Sequence, residues 1–369
     1  MYKLTARAHH LAVPHRHQAM AAETSLEFGE HGHLAVPDPE FAPFIDFIDS
    51  LPQRSKTDMG LRRKQFEDGL ITISKQNYGV GLPKESEYIV KDEEIDVAGS
   101  PAGKIRVRTL VPASSEEGKT YPLYVWFHGG GWTTGNVDMD DYQLRQLCVE
   151  LQLSIVNVEY RLAPEHPTPI IQDDCYAGIK WAVENQVLLS ADVKKGFLIG
   201  GLSAGGHLTA VLAHRARDDP WFEGRPITGQ ILQIPALCHP EAVPDEHKSS
   251  LFSFKQNEFA TGLPAADVHW LYKQLGGSPT SPDVSPFLHP VHAGLPPAVL
   301  QICGLDPLRD EALLYGKILK KEGVKTRVHT YPGVPHGFNY GFPNISAAKR
   351  WEREYREGLR WILEGAPQA

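Results

Sequence analysis

The pentapeptide Gly201-Leu202-Ser203-Ala204-Gly205 restricts what this chain can fold into more than any other stretch. An apolar run, FLIGG, precedes it and reads as a strand; the segment that follows, SAGGHLTAVLAHRAR, reads as a helix. A serine at the apex of so abrupt a strand-to-helix turn sits in strained backbone geometry, so its neighbours must lack bulk, and Gly201, Gly205 and Gly206 supply that room. The helix beginning there turns the positive end of its dipole toward the serine, where negative charge would develop. G-x-S-x-G is short enough to arise by chance, and its weight depends on what surrounds it.

The surroundings have the rhythm of an α/β protein. From Glu94 to Pro112 residues alternate, with Ile95 and Val97 before a Gly-Ser-Pro-Ala-Gly turn and Ile105, Val107 and Thr109 after it, which predicts a hairpin opening the sheet. Short apolar runs at Leu123–Phe127, Ser154–Val158, Phe197–Gly200, Gln230–Ile234, Ala298–Cys303 and Thr326–Tyr331 then alternate with helix-like stretches. That alternation predicts a mostly parallel central sheet covered by helices on both faces. A last helix is expected from about residue 345 to 363.

Two stretches break the rhythm. Near the start, Asp38-Pro39 followed by Phe41, Phe44, Ile45, Ile48 and Leu51 predicts an amphipathic helix capped by Asp38, and a second helix is expected around 61–70. These would form a mobile helical cap. The Pro-, His- and Phe-rich segment between Pro235 and Gly276 is a second cap candidate. The expected organisation is an N-terminal cap segment over 1–86, core over 87–237, a cap insertion over 238–276, and core again over 277–369. Phe252, Phe254, Phe259, Trp270 and Tyr272 of the insertion are candidate lining for a substrate pocket, although aromatic side chains serve as often in plain packing.

Composition excludes several classes. The 369 residues carry a formal charge of −8, and no long basic run offers a footprint for nucleic acid or an anionic membrane. No stretch approaches the roughly 18 uninterrupted apolar residues of a membrane span, so no stable membrane insertion is expected. The first twenty residues lack the apolar core of a secretory signal, which points to a cytoplasmic location. Cys148, Cys175, Cys238 and Cys303 lie far apart among apolar neighbours and read as buried reduced thiols. His9, His10, His15, His17, His31 and His33 fall among Pro and Gly without metal-ligand spacing, and no metal is assigned.

Acyl transfer supplies the context that the serine motif needs. His128-Gly129-Gly130-Gly131-Trp132 follows the strand LYVWF, where glycines can turn backbone N–H groups toward an oxyanion. A serine nucleophile also requires a base to accept its proton and a carboxylate to hold that base. Asp306 follows the strand AVLQICG, with Asp310 and Glu311 as rival carboxylates, and His336 follows TRVHTYPG in a loop with little reason to carry an imidazole for packing.

These motifs together resemble the hormone-sensitive-lipase-like esterases of the α/β-hydrolase superfamily. The resemblance rests on HGGGW at 128–132, YRLAPEHPTP at 160–169, GLSAGG at 201–206, GLDPLRDE at 304–311 and HGF at 336–338, and covers roughly residues 85–365. It implies an α/β-hydrolase fold with a helical cap, Ser203 as nucleophile, His336 as general base and acid, and Asp306 as the orienting carboxylate. Gly130, Gly131 and Ala204 become the oxyanion donors, while Tyr160, Arg161 and Glu165 read as scaffold. Leu202 departs from the Asp or Thr that many relatives carry before the serine, which leaves the subfamily open.

The resemblance implies a carboxylic ester hydrolase that works on a small-molecule ester, with no cofactor; a homodimer is compatible with it. Two rivals keep the same residues. In one, an alcohol or internal hydroxyl replaces water, giving an acyltransferase or a lactone-forming or lactone-opening enzyme. In the other, the fold is a small-molecule receptor, as in the plant gibberellin receptors, which lack the histidine found here.

Overall fold

A computed structural model describes residues 27–99 and 101–368; His9, His10, His15 and His17 lie outside them. Eight strands form one sheet: β1 (Tyr88–Val97), β2 (Gly103–Pro112), β3 (Leu123–Phe127), β4 (Ser154–Glu159), β5 (Phe197–Leu202), β6 (Gly229–Gln233), β7 (Ala298–Leu305) and β8 (Thr326–Pro335). Their order is β1-β2-β4-β3-β5-β6-β7-β8, with β1 and β2 antiparallel to their neighbours and the rest parallel.

Both faces of the central strands β3 to β7 are buried, because side chains of a strand alternate between the faces and each side is covered there. On one face Leu123, Val125 and Phe127 of β3 join a core with α5 (Ile170–Glu184), α6 (Ala204–Asp218) and α10 (Arg309–Lys321). On the other, Tyr124 and Trp126 pack with α4 (Asp141–Glu150) and α12 (Ser346–Leu363), whose Trp351, Tyr355 and Leu359 are fully buried. All four cysteines are free and buried.

The N-terminal segment differs from the sequence expectation in detail. Between 38 and 51 the chain makes a 3-10 turn, Ala42–Phe44, and a five-residue helix α1, Ile45–Asp49, rather than one capped helix. Pro43 removes a backbone donor there, and Asp38 folds back on its own turn, its Oδ1 accepting from the Glu40 N–H at 2.7 Å. The second helix is longer than expected. Asp58 caps α2 (Met59–Phe66) by accepting from the Leu61 N–H at 2.9 Å, and a π-helical turn over Glu67–Ile71 carries the helical path through Gly69 into α3 (Thr72–Tyr78). Phe41, Phe66, Ile71 and Tyr78 are buried in the same core as Trp351 and Tyr355.

The insertion folds into α7 (Asp245–Lys248), α8 (Ser253–Gln256) and α9 (Ala265–Leu275). Val268, Leu271, Tyr272 and Leu275, one face of α9, belong to the opposite core. The two segments meet where Lys56 pairs with Asp267 and the Arg62 guanidinium lies 4.3 Å above the Trp270 ring. Among the described residues no helix is long and apolar enough to cross a membrane.

Candidate active site

β5 ends at Leu202 and α6 starts at Ala204, so Ser203 is the whole of the turn between them. Its φ and ψ of 57° and −114° are a strained combination for a residue with a Cβ, costing on the order of 1–3 kcal/mol. The turn is held from both sides. The Ser203 N–H donates to the Gln233 carbonyl at 2.7 Å, and its carbonyl accepts from the His207 N–H at 2.9 Å. A Cβ at Gly205 would lie 1.9 Å from the Phe127 carbonyl oxygen, and one at Gly201 would lie 2.4 Å from Gly205. Glycine is needed here for close approach, and that approach seats the turn directly on the end of β3, where the glycine loop begins.

That loop reverses the chain through positive φ angles at Gly130 and Gly131 of 114° and 59°. Its far side is pinned: the Gly130 carbonyl accepts from the Thr134 N–H at 3.1 Å and the Thr134 hydroxyl at 2.8 Å. Neither Gly130 nor Gly131 donates a backbone hydrogen bond among the described residues. As the first residue of α6, Ala204 likewise has no carbonyl one turn back to bond. His128 shapes the loop from beneath. Its Nδ1–H donates to the Gly129 carbonyl at 2.7 Å, its ring stacks 4.2 Å from Tyr160, and the Tyr160 hydroxyl donates to the His128 carbonyl at 2.8 Å. Burial lowers the His128 pKa to about 4, which keeps that ring neutral.

At the same carboxyl end of the parallel strands, β7 delivers Asp306 and β8 delivers His336. Gly337, at φ 74°, turns the chain immediately after the histidine into α11 (Phe338–Gly341). His336 Nδ1 lies 2.6 Å from Asp306 Oδ2, and its Nε2 lies 2.8 Å from Ser203 Oγ. The other Asp306 oxygen accepts from the Leu308 N–H at 2.9 Å, and Asp306 is buried. Ser203 and His336 remain partly exposed.

The rival carboxylates are engaged elsewhere. Asp310 accepts from the N–H groups of Phe252 and Ser253, both at 2.8 Å. Glu311 accepts from those of Leu237 and Cys238 at 2.7 and 3.3 Å, and burial pushes its pKa up to about 8. Arg161 binds Asp174, and Glu165 binds Arg63.

Three contacts around the site escaped sequence reasoning. The Asn257 amide donates to the Gly304 and Asp306 carbonyls, the Trp132 indole reaches His207, and Arg63 reaches from α2 to the Thr133 and Ala163 carbonyls at 3.1 Å each. Each joins residues far apart in the chain, and no local pattern announces them. Of the candidate aromatics, Tyr272 packs 5.0 Å from Trp132. Trp270 and Tyr272 help line an outer groove of about 510 Å³ with His239 and His269, whereas Phe259 is 87% exposed. Among the described residues no group of three or more His, Cys, Asp or Glu side chains could hold a metal.

An eight-stranded, mostly parallel sheet with a serine at a strand-to-helix turn defines an α/β-hydrolase. A family model described as the α/β-hydrolase fold matches residues 124–340. Esterase LipI of Mycobacterium tuberculosis is 32% identical over 341 residues, covering 90% of this chain and 98% of LipI. The structure of a vibralactone cyclase superposes with a TM-score of 0.85 at 42% identity, covering 91% of this chain and 97% of the cyclase. An esterase from Pyrobaculum calidifontis superposes with a TM-score of 0.75 at 30% identity, covering 90% and 99%. The chain belongs to the hormone-sensitive-lipase-like branch of the α/β-hydrolase family and is a serine-carboxylesterase-like hydrolase.

Proposed function

We propose that the protein hydrolyses carboxylic esters of small molecules, of short to medium acyl chain, through Ser203, His336 and Asp306 and an acyl-enzyme intermediate. The observation that carries this reading is the unbroken line from Asp306 Oδ2 through His336 to Ser203 Oγ, at 2.6 and 2.8 Å. His336 accepts the serine proton as Oγ attacks the ester carbonyl, while Asp306 holds the ring with its proton on Nδ1 and stabilises the imidazolium. The N–H groups of Gly130, Gly131 and Ala204 receive the oxyanion. His336 then protonates the departing alcohol, and water activated by the same ring releases the acid.

The test is hydrolysis of p-nitrophenyl esters from acetate to palmitate by the wild type and S203A. Activity confined to the wild type and greatest on short chains supports the reading; equal activity in both proteins defeats it. The similarity to a vibralactone cyclase favours a second reading in which a hydroxyl of the substrate, rather than water, attacks the acyl-enzyme and closes a lactone. Hydrolysis in ¹⁸O-labelled water separates the two. The label enters the acid product when water is the acceptor and is absent from a lactone.

A further inference from the structure

Gly130, Gly131 and Trp132 take up three successive positive φ values, 114°, 59° and 59°. For the two glycines this region costs little; for a tryptophan it is unfavourable. Tertiary contacts hold Trp132 there. Only 2% exposed, it accepts from the Ala163 N–H through its carbonyl at 2.9 Å. Its ring lies 5.0 Å from Tyr272 and edge-on to His207 at 5.1 Å. The indole Nε1–H donates to His207 Nδ1 at 3.1 Å. His207 stands one turn into α6, with its own N–H on the Ser203 carbonyl.

The indole thus bridges two separate pieces of chain. One is the loop that carries the Gly130 and Gly131 amides; the other is the helix that begins with the Ala204 amide. We infer that Trp132 and His207 are the positioning pair of the oxyanion site, their hydrogen bond fixing the separation of the loop donors from the helix donor. The inference rests on the serine-nucleophile reading above. It requires a neutral imidazole with its proton on Nε2, and burial, which lowers the His207 pKa to about 3, favours the neutral ring. A tryptophan serving only as core filling would affect stability without favouring the transition state over the ground state.

The experiment uses ethyl p-nitrophenyl methylphosphonate. Ser203 Oγ forms a bond to phosphorus, the aryl P–O bond breaks, p-nitrophenolate leaves, and the serine proton passes to His336; the phosphoryl oxygen occupies the oxyanion site. Release of p-nitrophenolate is timed for the wild type, S203A, W132F, H207F, H207Q and the W132F/H207F double variant, alongside steady-state hydrolysis of p-nitrophenyl butyrate. W132F keeps an aromatic ring but loses the donor, and H207F loses the acceptor. Each is expected to slow phosphonylation and kcat by about tenfold, as a displacement of aligned groups does, with KM within about twofold of wild type.

The double variant falls no further than either single one, because both remove the same bond. H207Q, whose amide oxygen can accept the indole N–H, recovers most of the rate. Wild-type rates in W132F and H207F, a loss lying wholly in KM, or H207Q as impaired as H207F would overturn the inference. Should W132F fail to fold, the contrast between H207F and H207Q, which leaves the indole in place, decides alone. Failure of the serine reading has a different signature: an unreactive wild type, or an S203A that still reacts.

Discussion

At the scale of single residues, the site depends on atoms that must be absent as much as on those present. Gly205 shows this most sharply, because its Cα faces the Phe127 carbonyl oxygen with no space for a methyl group. G205A is expected to destabilise the fold by about 1–3 kcal/mol or more, as overpacking against rigid backbone does, and to depress activity further by shifting Ser203. Thermal melts of the variant beside G224A check this, since a Cβ at Gly224 meets nothing within 4 Å, although its φ of 77° carries a strain of its own. Asp306 acts at the same scale. D306N keeps the volume but favours the opposite histidine tautomer, and kcat should fall on the order of 10³–10⁴-fold while the melting temperature changes little. Normal turnover in D306N would assign the orienting role to another group.

At the scale of elements, the start of α10 is tied to the loop after β6. Glu311, in the first turn of that helix, bonds the Leu237 and Cys238 N–H groups from a buried position. Burial raises its carboxyl from the ordinary 4.5 to about 8. The folded chain therefore holds a proton that the unfolded chain releases, and the slope of stability with pH is negative across that interval. The contribution of Glu311 is fully present below about pH 4.5 and is lost as the pH rises through about 8. E311Q keeps an acceptor for both N–H groups and cannot titrate. Its melting temperature is expected to gain on the wild type from pH 5 to pH 9; parallel curves would show that Glu311 does not hold this proton.

Also at this scale, α2 and α3 are stapled to the rest of the molecule along their length. Arg63 holds the Thr133 and Ala163 carbonyls, Ser74 donates to the Met139 carbonyl at 2.7 Å, and Tyr78 donates to Glu352 at 2.7 Å. The Arg63 contacts place this segment on the strand-end loop that continues from the glycine turn.

At the scale of the whole molecule, the two segments that interrupt the α/β rhythm pack against different parts of the core, the insertion beside the glycine loop and Asp306 and the N-terminal segment beneath α12. Leu271 of α9 stands where a Cβ on Gly131 would have to go, at 2.5 Å, and Asn257 of the same insertion bonds the backbone around Asp306. Phe41, Phe66, Ile71 and Tyr78 complete the core beneath α12. Deleting residues 27–80 would expose that apolar face, and the truncated chain is expected to aggregate rather than behave as an uncapped enzyme. Size-exclusion chromatography of the purified fragment checks this; a monodisperse, folded fragment would show the segment to be dispensable.

The strand rhythm, the hairpin and the final helix were legible because burial on both faces of a sheet imposes short apolar runs at regular spacing, a pattern local to each element. The strand-end positions of Ser203, His336 and Asp306 were legible too, since each strand can be read by itself. The helical path from 59 to 78 runs beyond the helix expected around 61–70, because the π-turn that carries it through Gly69 interrupts the helical spacing on which that expectation rests. What no local pattern carried was the meeting of distant groups: Trp132 with His207, Asn257 with the Asp306 loop, Arg63 with the turn after the glycines. Sequence patterns record which face of an element must leave water, and only the packed chain decides which faces meet, because a hydrogen bond across 75 or 100 residues leaves no periodicity behind.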